Sequence, residues 1–229
     1  MVTISGTERQ RVVEAYVGEY ASGKSENAVN RALELLAQGR RPVTIVDLDI
    51  VEPFYTLRPI KKELEEKGLQ VVAWETRATM GLGEAGTLIR GDMLWSLRRE
   101  GDLVLDIGYG VEGSKTLNLL HGAHEDKDLR IIAVINASRP MTASVEEIVD
   151  HVRGLGPVHG LLNNTHLAEE TDLAIIREGA RLVDAAAREL DLPVMATAAD
   201  ERFRGKLAPE DVLGQPVRFL QRFMPRSFW

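Results

Sequence analysis

The sequence predicts an α/β fold, a mostly parallel sheet of roughly seven strands flanked by helices. Two observations predict it. The apolar segments are short and rich in Val, Ile and Leu, as strands buried on both faces must be. The stretches between them are longer and repeat their apolar residues at helical spacing. In chain order, residues 12–17, 42–50, 69–74, 102–107, 129–136, 158–162 and 192–196 read as strands. The segment 26–38 carries Val29, Leu33 and Leu36 at i, i+4 and i+7, and 169–190 carries Leu173, Ile176, Ala180, Val183 and Ala187, so both read as amphipathic helices. Strands alternating with helices imply right-handed crossovers and a parallel sheet.

The chain has 229 residues, enough for one such domain with a sizeable core. It contains no cysteine, which excludes a thiol nucleophile, a redox dithiol, a zinc ribbon and a cysteine-ligated iron–sulfur cluster. The formal net charge of −7 argues against a broad polyanion-binding surface, so no nucleic-acid partner is expected. No apolar run is long enough to span a bilayer, and the polar start of the chain does not resemble a targeting segment, so a cytoplasmic protein is expected.

The first strand runs into Gly18-Glu19-Tyr20-Ala21-Ser22-Gly23-Lys24-Ser25, which fits G-x-x-x-x-G-K-[ST] at every fixed position. A buried strand before the motif and a helix after it supply the context its chemistry needs. The glycines let successive N–H groups converge on phosphate oxygens, and the end of the following helix, at Glu26, adds partial positive charge. Lys24 is placed to reach the β- and γ-phosphates and Ser25 to ligate Mg²⁺. Asp106 closes the run Leu103-Val104-Leu105-Asp106 before Ile107-Gly108, the pattern in which a strand-end Asp holds a Mg²⁺-bound water. In Asp47-Leu48-Asp49-Ile50-Val51-Glu52-Pro53, alternation places both carboxylates on one side of a strand, where they could share a water or metal or cap a turn.

These motifs together resemble the MinD/ParA/Mrp/CobQ group of P-loop nucleotidases, the SIMIBI class. In Gly-Lys-Ser-Glu, Asp-Leu-Asp-Ile-Val-Glu-Pro and Asn-Asn-Thr-His-Leu the chain is most similar to uncharacterised bacterial ATP-binding members. The resemblance runs from residue 12 to about 200 and implies a P-loop NTPase fold with ATP and Mg²⁺ at the carboxyl ends of the strands. It implies that Asp49 orients the attacking water, that Asp47 lies at a neighbouring Mg²⁺-side position and that Asp106 is the switch acid. The partition and cell-division members carry a signature lysine at the second loop position. Here that residue is Glu19, so hydrolysis of their dimer-dependent type is not implied, while binding through Lys24 is.

Base preference has its own signal. Guanine-specific P-loop proteins use Asn-Lys-x-Asp, whereas the corresponding strand end here is Asn163-Asn164-Thr165-His166, with no carboxylate at the fourth place. An Asn amide donates and accepts at once, which suits adenine, so Asn163 and Asn164 are expected to contact ATP, with a simple turn as the alternative.

Other features weigh less. His121 and His124 form an H-x-x-H pair near the end of a helix expected to start around Glu112, where placing cations at a helix C-terminus is preferred to binding a metal. The glycine-rich stretch Met80 to Gly86 reads as a loop for a substrate or effector, or as a plain connection. Residues 1–201 form the expected nucleotide-binding domain, and 202–229 a basic, aromatic tail. In that tail Arg202, Arg204, Lys206, Arg218, Arg222 and Arg226 face only Glu210 and Asp211, leaving the rest of the chain at −11. Winding Val217 to Met224 at helical pitch collects Val217, Phe219, Leu220, Phe223 and Met224 on one arc, so a short amphipathic helix is expected between Pro216 and Pro225. Docking of that helix on the domain or a partner subunit is preferred to weak membrane association.

The expected function is a Mg²⁺-dependent ATP-binding protein with slow ATPase activity, serving as a nucleotide switch or assembly factor with an unidentified protein partner and a possible homodimeric state. The alternatives are an ATP-dependent small-molecule ligase or kinase, of the dethiobiotin synthetase or cobyrinate-amidation type, and a metallocentre-insertion ATPase.

Overall fold

In the computed structural model, residues 10–49, 57–74 and 89–224 are described. The stretch Met80 to Gly86, the tail from Pro225 and the segment after Asp49 lie outside them. Eight strands form one sheet in the order β3-β2-β4-β1-β5-β6-β7-β8, and every neighbouring pair is parallel. The strands are β1 (Val13–Val17), β2 (Val43–Leu48), β3 (Gln70–Val72), β4 (Asp102–Ile107), β5 (Leu129–Ile135), β6 (Gly160–Asn163), β7 (Val194–Asp200) and β8 (Val217–Leu220). The first seven fall on the seven apolar segments. The α-helices among the described residues are α1 (Lys24–Ala37), α2 (Lys61–Glu66), α3 (Gly91–Leu94), α4 (Gly110–Ser114), α5 (Val145–Gly154) and α6 (Leu173–Leu190).

Strand alternation builds two cores, one on each face of the sheet. Val13, Ala15 and Val17 join Leu103, Leu105 and Ile107, and Ile131, Ala133 and Ile135, on the face covered by α5 and α6 through Ile148, Val149, Val152, Val183 and Ala187. Tyr16, Ile45, Val104, Ile132 and Val134 point the other way, onto Ala28, Val29, Ala32 and Leu35 of α1 and Leu64 of α2. The parity that sends Val104 and Ile45 toward α1 also sends Asp106 and Asp47 there, at the carboxyl ends of their strands. Ligands of open α/β sheets bind at those ends.

Two sequence expectations are corrected. The tail is not a helix over 217–224: Val217–Leu220 is strand β8, paired with β7 from Thr197↔Val217 to Asp200↔Leu220. About two turns of isolated helix are marginal in water, and the exposed edge of β7 offers ladder hydrogen bonds instead. His121 and His124 do not sit on a regular helix either. The α4 segment is followed by a 3-10 stretch, Lys115–Leu119, and His121 lies flat on Trp95, 3.8 Å between ring centres and 17° between planes.

Candidate functional site

At the carboxyl end of β1 the chain turns through Gly18 to Gly23 and enters α1. Gly23 has φ +88°, and a Cβ there would stand 2.1 Å from Nδ2 of Asn164, so glycine is required both by the backbone and by the neighbour. Ala21 also takes a left-handed conformation, φ +53°, a strain of the kind concentrated at functional loops. The Lys24 ammonium donates to the Glu19 carbonyl at 3.0 Å, which curls the side chain back over its own loop. Its proton affinity is lowered by burial, against the opposing pull of Asp106, Asp49 and Glu19. The first-turn N–H groups of α1 have no acceptor within the helix and face the end of the sheet.

Asp47 and Asp106 are register partners on β2 and β4, so two buried carboxylates sit side by side. Burial pushes the Asp106 carboxyl well above the ordinary carboxylate range, and Asp47 and Asp49 push the same way, while Ser25 and Lys24 oppose. Neither Asp106 oxygen makes a well-formed hydrogen bond among the described residues, although the Ser25 hydroxyl stands close enough to draw the carboxyl partly back. Asp49 donates its backbone N–H to Asp47 Oδ1 at 3.1 Å and presents its own side chain to the cavity beyond.

That donor set fits a magnesium ion. Mg²⁺ takes hard oxygens, one or two carboxylates together with phosphate oxygens and waters, and here two buried carboxylates and a hydroxyl converge beside a lysine. Among the described residues no group of three or more His, Asp or Glu side chains could hold a metal by itself, so the protein oxygens would form only part of such a shell.

A cavity of about 330 Å³ opens over the loop. Tyr20, Ala21, Gly23, Lys24, Ser25, Glu26, Asp49 and Asn164 line it, which brings together most of the residues singled out from sequence. Gly18, Glu19 and Ser22 belong to the loop without lining the cavity. The Glu19 carboxylate accepts from the Tyr20 N–H at 2.7 Å and its other oxygen lies 3.8 Å from Nδ1 of His151 on α5, directed away from the cavity.

The two asparagines separate. Asn163 is fully buried; its amide donates to Thr197 Oγ1 at 3.2 Å and to the Ile176 carbonyl, and its oxygen accepts from the N–H and hydroxyl of Thr165. It ties β6 to β7 and α6 and does not line the cavity. Asn164 Nδ2 donates to the Ser22 carbonyl at 2.7 Å and so braces the Gly18–Ser25 loop from the end of β6, two strands away.

The far end of the cavity joins residues that the sequence does not connect with one another. Tyr109, Arg139, His166, Ile176, Ala198, Ala199, Asp200, Leu220, Arg222 and Met224 close it. Tyr109 packs edge-on against Tyr20, 5.4 Å between centres, joining the turn after Asp106 to the phosphate loop. The Gly110 N–H adds a bond to the Gly18 carbonyl at 2.8 Å. Burial, with Arg139 and Arg222 nearby, holds His166 down to about 4, so its imidazole is neutral at physiological pH. Ile176 comes from α6, Ala198 to Asp200 from β7 and Leu220 from β8, with Tyr109, Arg139, His166, Arg222 and Met224 from the connections, all gathered by the parallel order of the sheet.

Comparison with known proteins agrees on the fold. The signal recognition particle receptor FtsY of Elizabethkingia anophelis, solved in complex with GDP, superposes with a TM-score of 0.59 at 15% identity, covering 99% of this chain and 64% of that one. FtsY of Thermotoga maritima gives 0.51 at 16% identity, with 96% and 67% covered. The signal recognition particle 54 kDa protein of Aeropyrum pernix K1, also with GDP, gives 0.55 at 20% identity, with 97% and 46% covered. The chain thus spans two thirds or less of the length of several of these neighbours. No protein-family model and no curated protein matches the sequence. The architecture is that of P-loop nucleotide-binding proteins, and the narrower likeness to the MinD/ParA/CobQ group rests on the motifs alone.

Proposed function

We propose that this chain is a Mg²⁺-dependent ATP-binding protein with slow ATPase activity, acting as a nucleotide switch or assembly factor. One observation carries the reading: a single cavity runs from Lys24 and Ser25 to an apolar slot between Ile176, Ala198 and Leu220, with a phosphate-binding loop at one end and room for a nucleoside at the other. Lys24 would exchange its bond to the Glu19 carbonyl for the phosphates. Ser25, Asp47 and Asp106 would hold Mg²⁺, which when bound neutralises phosphate oxygens and so favours their displacement. Asp49, on the cavity wall, would orient the attacking water. Tyr109 and Gly110 join the turn after Asp106 to the loop, a connection through which nucleotide state could reach the surface.

Adenine is favoured because the residue at the guanine-reading place is His166, a neutral imidazole that cannot accept from two guanine donors at once. A guanine nucleotide is the second reading, since the Asp200 carboxylate also lines the cavity, although one of its oxygens accepts from the Arg202 N–H.

Calorimetric titration of the wild type and Lys24→Ala with Mg-ATP and Mg-GTP tests this. ATP should bind more tightly than GTP, and Lys24→Ala should remove most of the affinity; unchanged affinity in the variant would refute the phosphate-loop reading. Asp49→Asn should bind ATP as the wild type does and lose turnover, and unchanged hydrolysis would move the water-orienting role elsewhere.

A further inference from the structure

The chain after β8 is held against α1 by side chains that imitate a strand edge. Asn30 accepts from the Gln221 N–H and donates to the Gln221 carbonyl, both at 2.8 Å. One helical turn earlier, the Glu26 carboxylate accepts from the Phe223 N–H at 2.6 Å and from the Met224 N–H at 3.1 Å. Glu26 and Asn30 are an i, i+4 pair and so share a face of α1. Phe223 is 2% exposed and joins the core beneath the helix, while Leu220, Arg222 and Met224 line the cavity. Arg222 pairs with Glu169 and stands 4.0 Å from Asp200, bridging to the loop and strand end that form the other side of the slot.

Glu26 directly follows Ser25. The first turn of α1 therefore serves two tasks, presenting its end to the phosphates and anchoring residues 221–224 beside the nucleoside end. Backbone N–H groups bonded to a carboxylate make charge-assisted bonds, stronger than bonds between neutral groups.

We propose that residues 221–224 form a strap that completes the nucleoside end of the cavity, and that seating of the strap on α1 and binding of a nucleoside strengthen each other. The proposal rests on the nucleotide reading above. Coupling of this kind is reciprocal: whatever tightens the strap tightens the nucleotide, and a partner that lifts the strap releases it. Because the strap touches the nucleoside end, its effect falls on nucleoside triphosphates and spares a ligand made of phosphates alone.

The test compares Mg-ATP with Mg-tripolyphosphate on the wild type, on a chain ending at Leu220 and on Asn30→Ala. The truncation should weaken ATP about tenfold or more while tripolyphosphate changes less than about twofold, the difference expected from losing the Met224 side chain and the Arg222 stem from the lining of a small-molecule site. Truncation also removes buried Phe223, so Asn30→Ala, which cuts two bonds to the strap while favouring helix and leaving the cavity lining intact, provides the independent arm. It should weaken ATP about threefold to tenfold with tripolyphosphate unaffected. In the wild type, amide exchange at Phe223 and Met224 should slow with Mg-ATP and stay unchanged with Mg-tripolyphosphate. Equal weakening of both ligands in the folded Asn30→Ala variant, or no weakening of either, would overturn the strap. A wild type that binds neither ligand would overturn the nucleotide reading beneath it.

Discussion

Replacing Asp106 by asparagine probes the electrostatics of the site without any nucleotide. Asp106 is buried beside its register partner Asp47, with its carboxyl held well above the ordinary value of 3.8 by burial first and by Asp47 and Asp49 after it. Two full charges on paired residues of adjacent strands, about 5 Å apart, repel by about 3 kcal/mol at an effective dielectric constant of 20. Burial and that repulsion both favour keeping a proton on Asp106. At pH 7 doing so costs at most about 4 kcal/mol, at 1.36 kcal/mol for each unit between the ordinary value and the solution pH. Asparagine keeps the shape and needs no proton. Asp106→Asn should therefore stabilise the nucleotide-free protein by about 1–4 kcal/mol at pH 7, raising Tm by about 2–4 °C per kcal/mol for a chain of this size. A raised carboxyl contributes stability that is fully present below about pH 3.8 and is lost as pH rises through its folded value, so the advantage of the variant must shrink on acidification. Thermal unfolding between pH 4 and 8 reads both effects. A variant no more stable than the wild type at pH 7, or an advantage that grows toward acid pH, would refute the reasoning.

Two further outcomes follow from groups away from Asp47 and Asp106. Arg31 of α1 makes a forked contact with Glu14 of β1, Nε to Oε2 and Nη2 to Oε1 both at 3.0 Å, and the Tyr16 hydroxyl donates to the same carboxylate at 2.9 Å. Arg31→Ala strands a largely buried charge and should cost about 3–5 kcal/mol in urea unfolding; a loss below 1 kcal/mol would mean that water reaches Glu14. The His166 imidazole should titrate at about 4 in an NMR experiment, and because its folded value is depressed, neutral His166 contributes stability that is lost as pH falls from 6.5 toward 4. A midpoint near 6.5 would place it in solvent.

The sequence was most legible where a single physical constraint dominates. Val104, Ile132 and Leu162 lie on strands buried on both faces, and such strands need uninterrupted apolar runs, so their segments stood out. The phosphate loop was legible because Gly23 must adopt positive φ against Asn164 and because Lys24 and Ser25 follow it at fixed spacing. The tie that Asn163 makes within the fold is not legible because its partners, Thr197 and the Ile176 carbonyl, lie 34 and 13 residues away, and local sequence does not announce a buried amide satisfied by distant elements. Strand β8 was misread for a related reason. Four residues, Val217–Leu220, satisfy a helical arc and an edge strand equally, and the choice was made by the open edge of β7 and by Glu26 and Asn30, almost 200 residues away in the chain. The end of the cavity away from Lys24 is not legible as a unit because it is assembled from α6, β7, β8 and their connections, whose closeness depends on strand order, which no short motif encodes.

The central claim is that one cavity holds the whole nucleotide, phosphates on the Gly18–Ser25 loop and nucleoside toward the strap. A crystal structure with Mg²⁺ and a non-hydrolysable ATP analogue tests it most directly. The Lys24 ammonium should have moved from the Glu19 carbonyl to phosphate oxygens, the metal should lie beside Ser25 on the side of Asp47 and Asp106, and the nucleoside should lie against Leu220 and Met224. A nucleotide bound elsewhere, or bound with Lys24 still on Glu19, would contradict it.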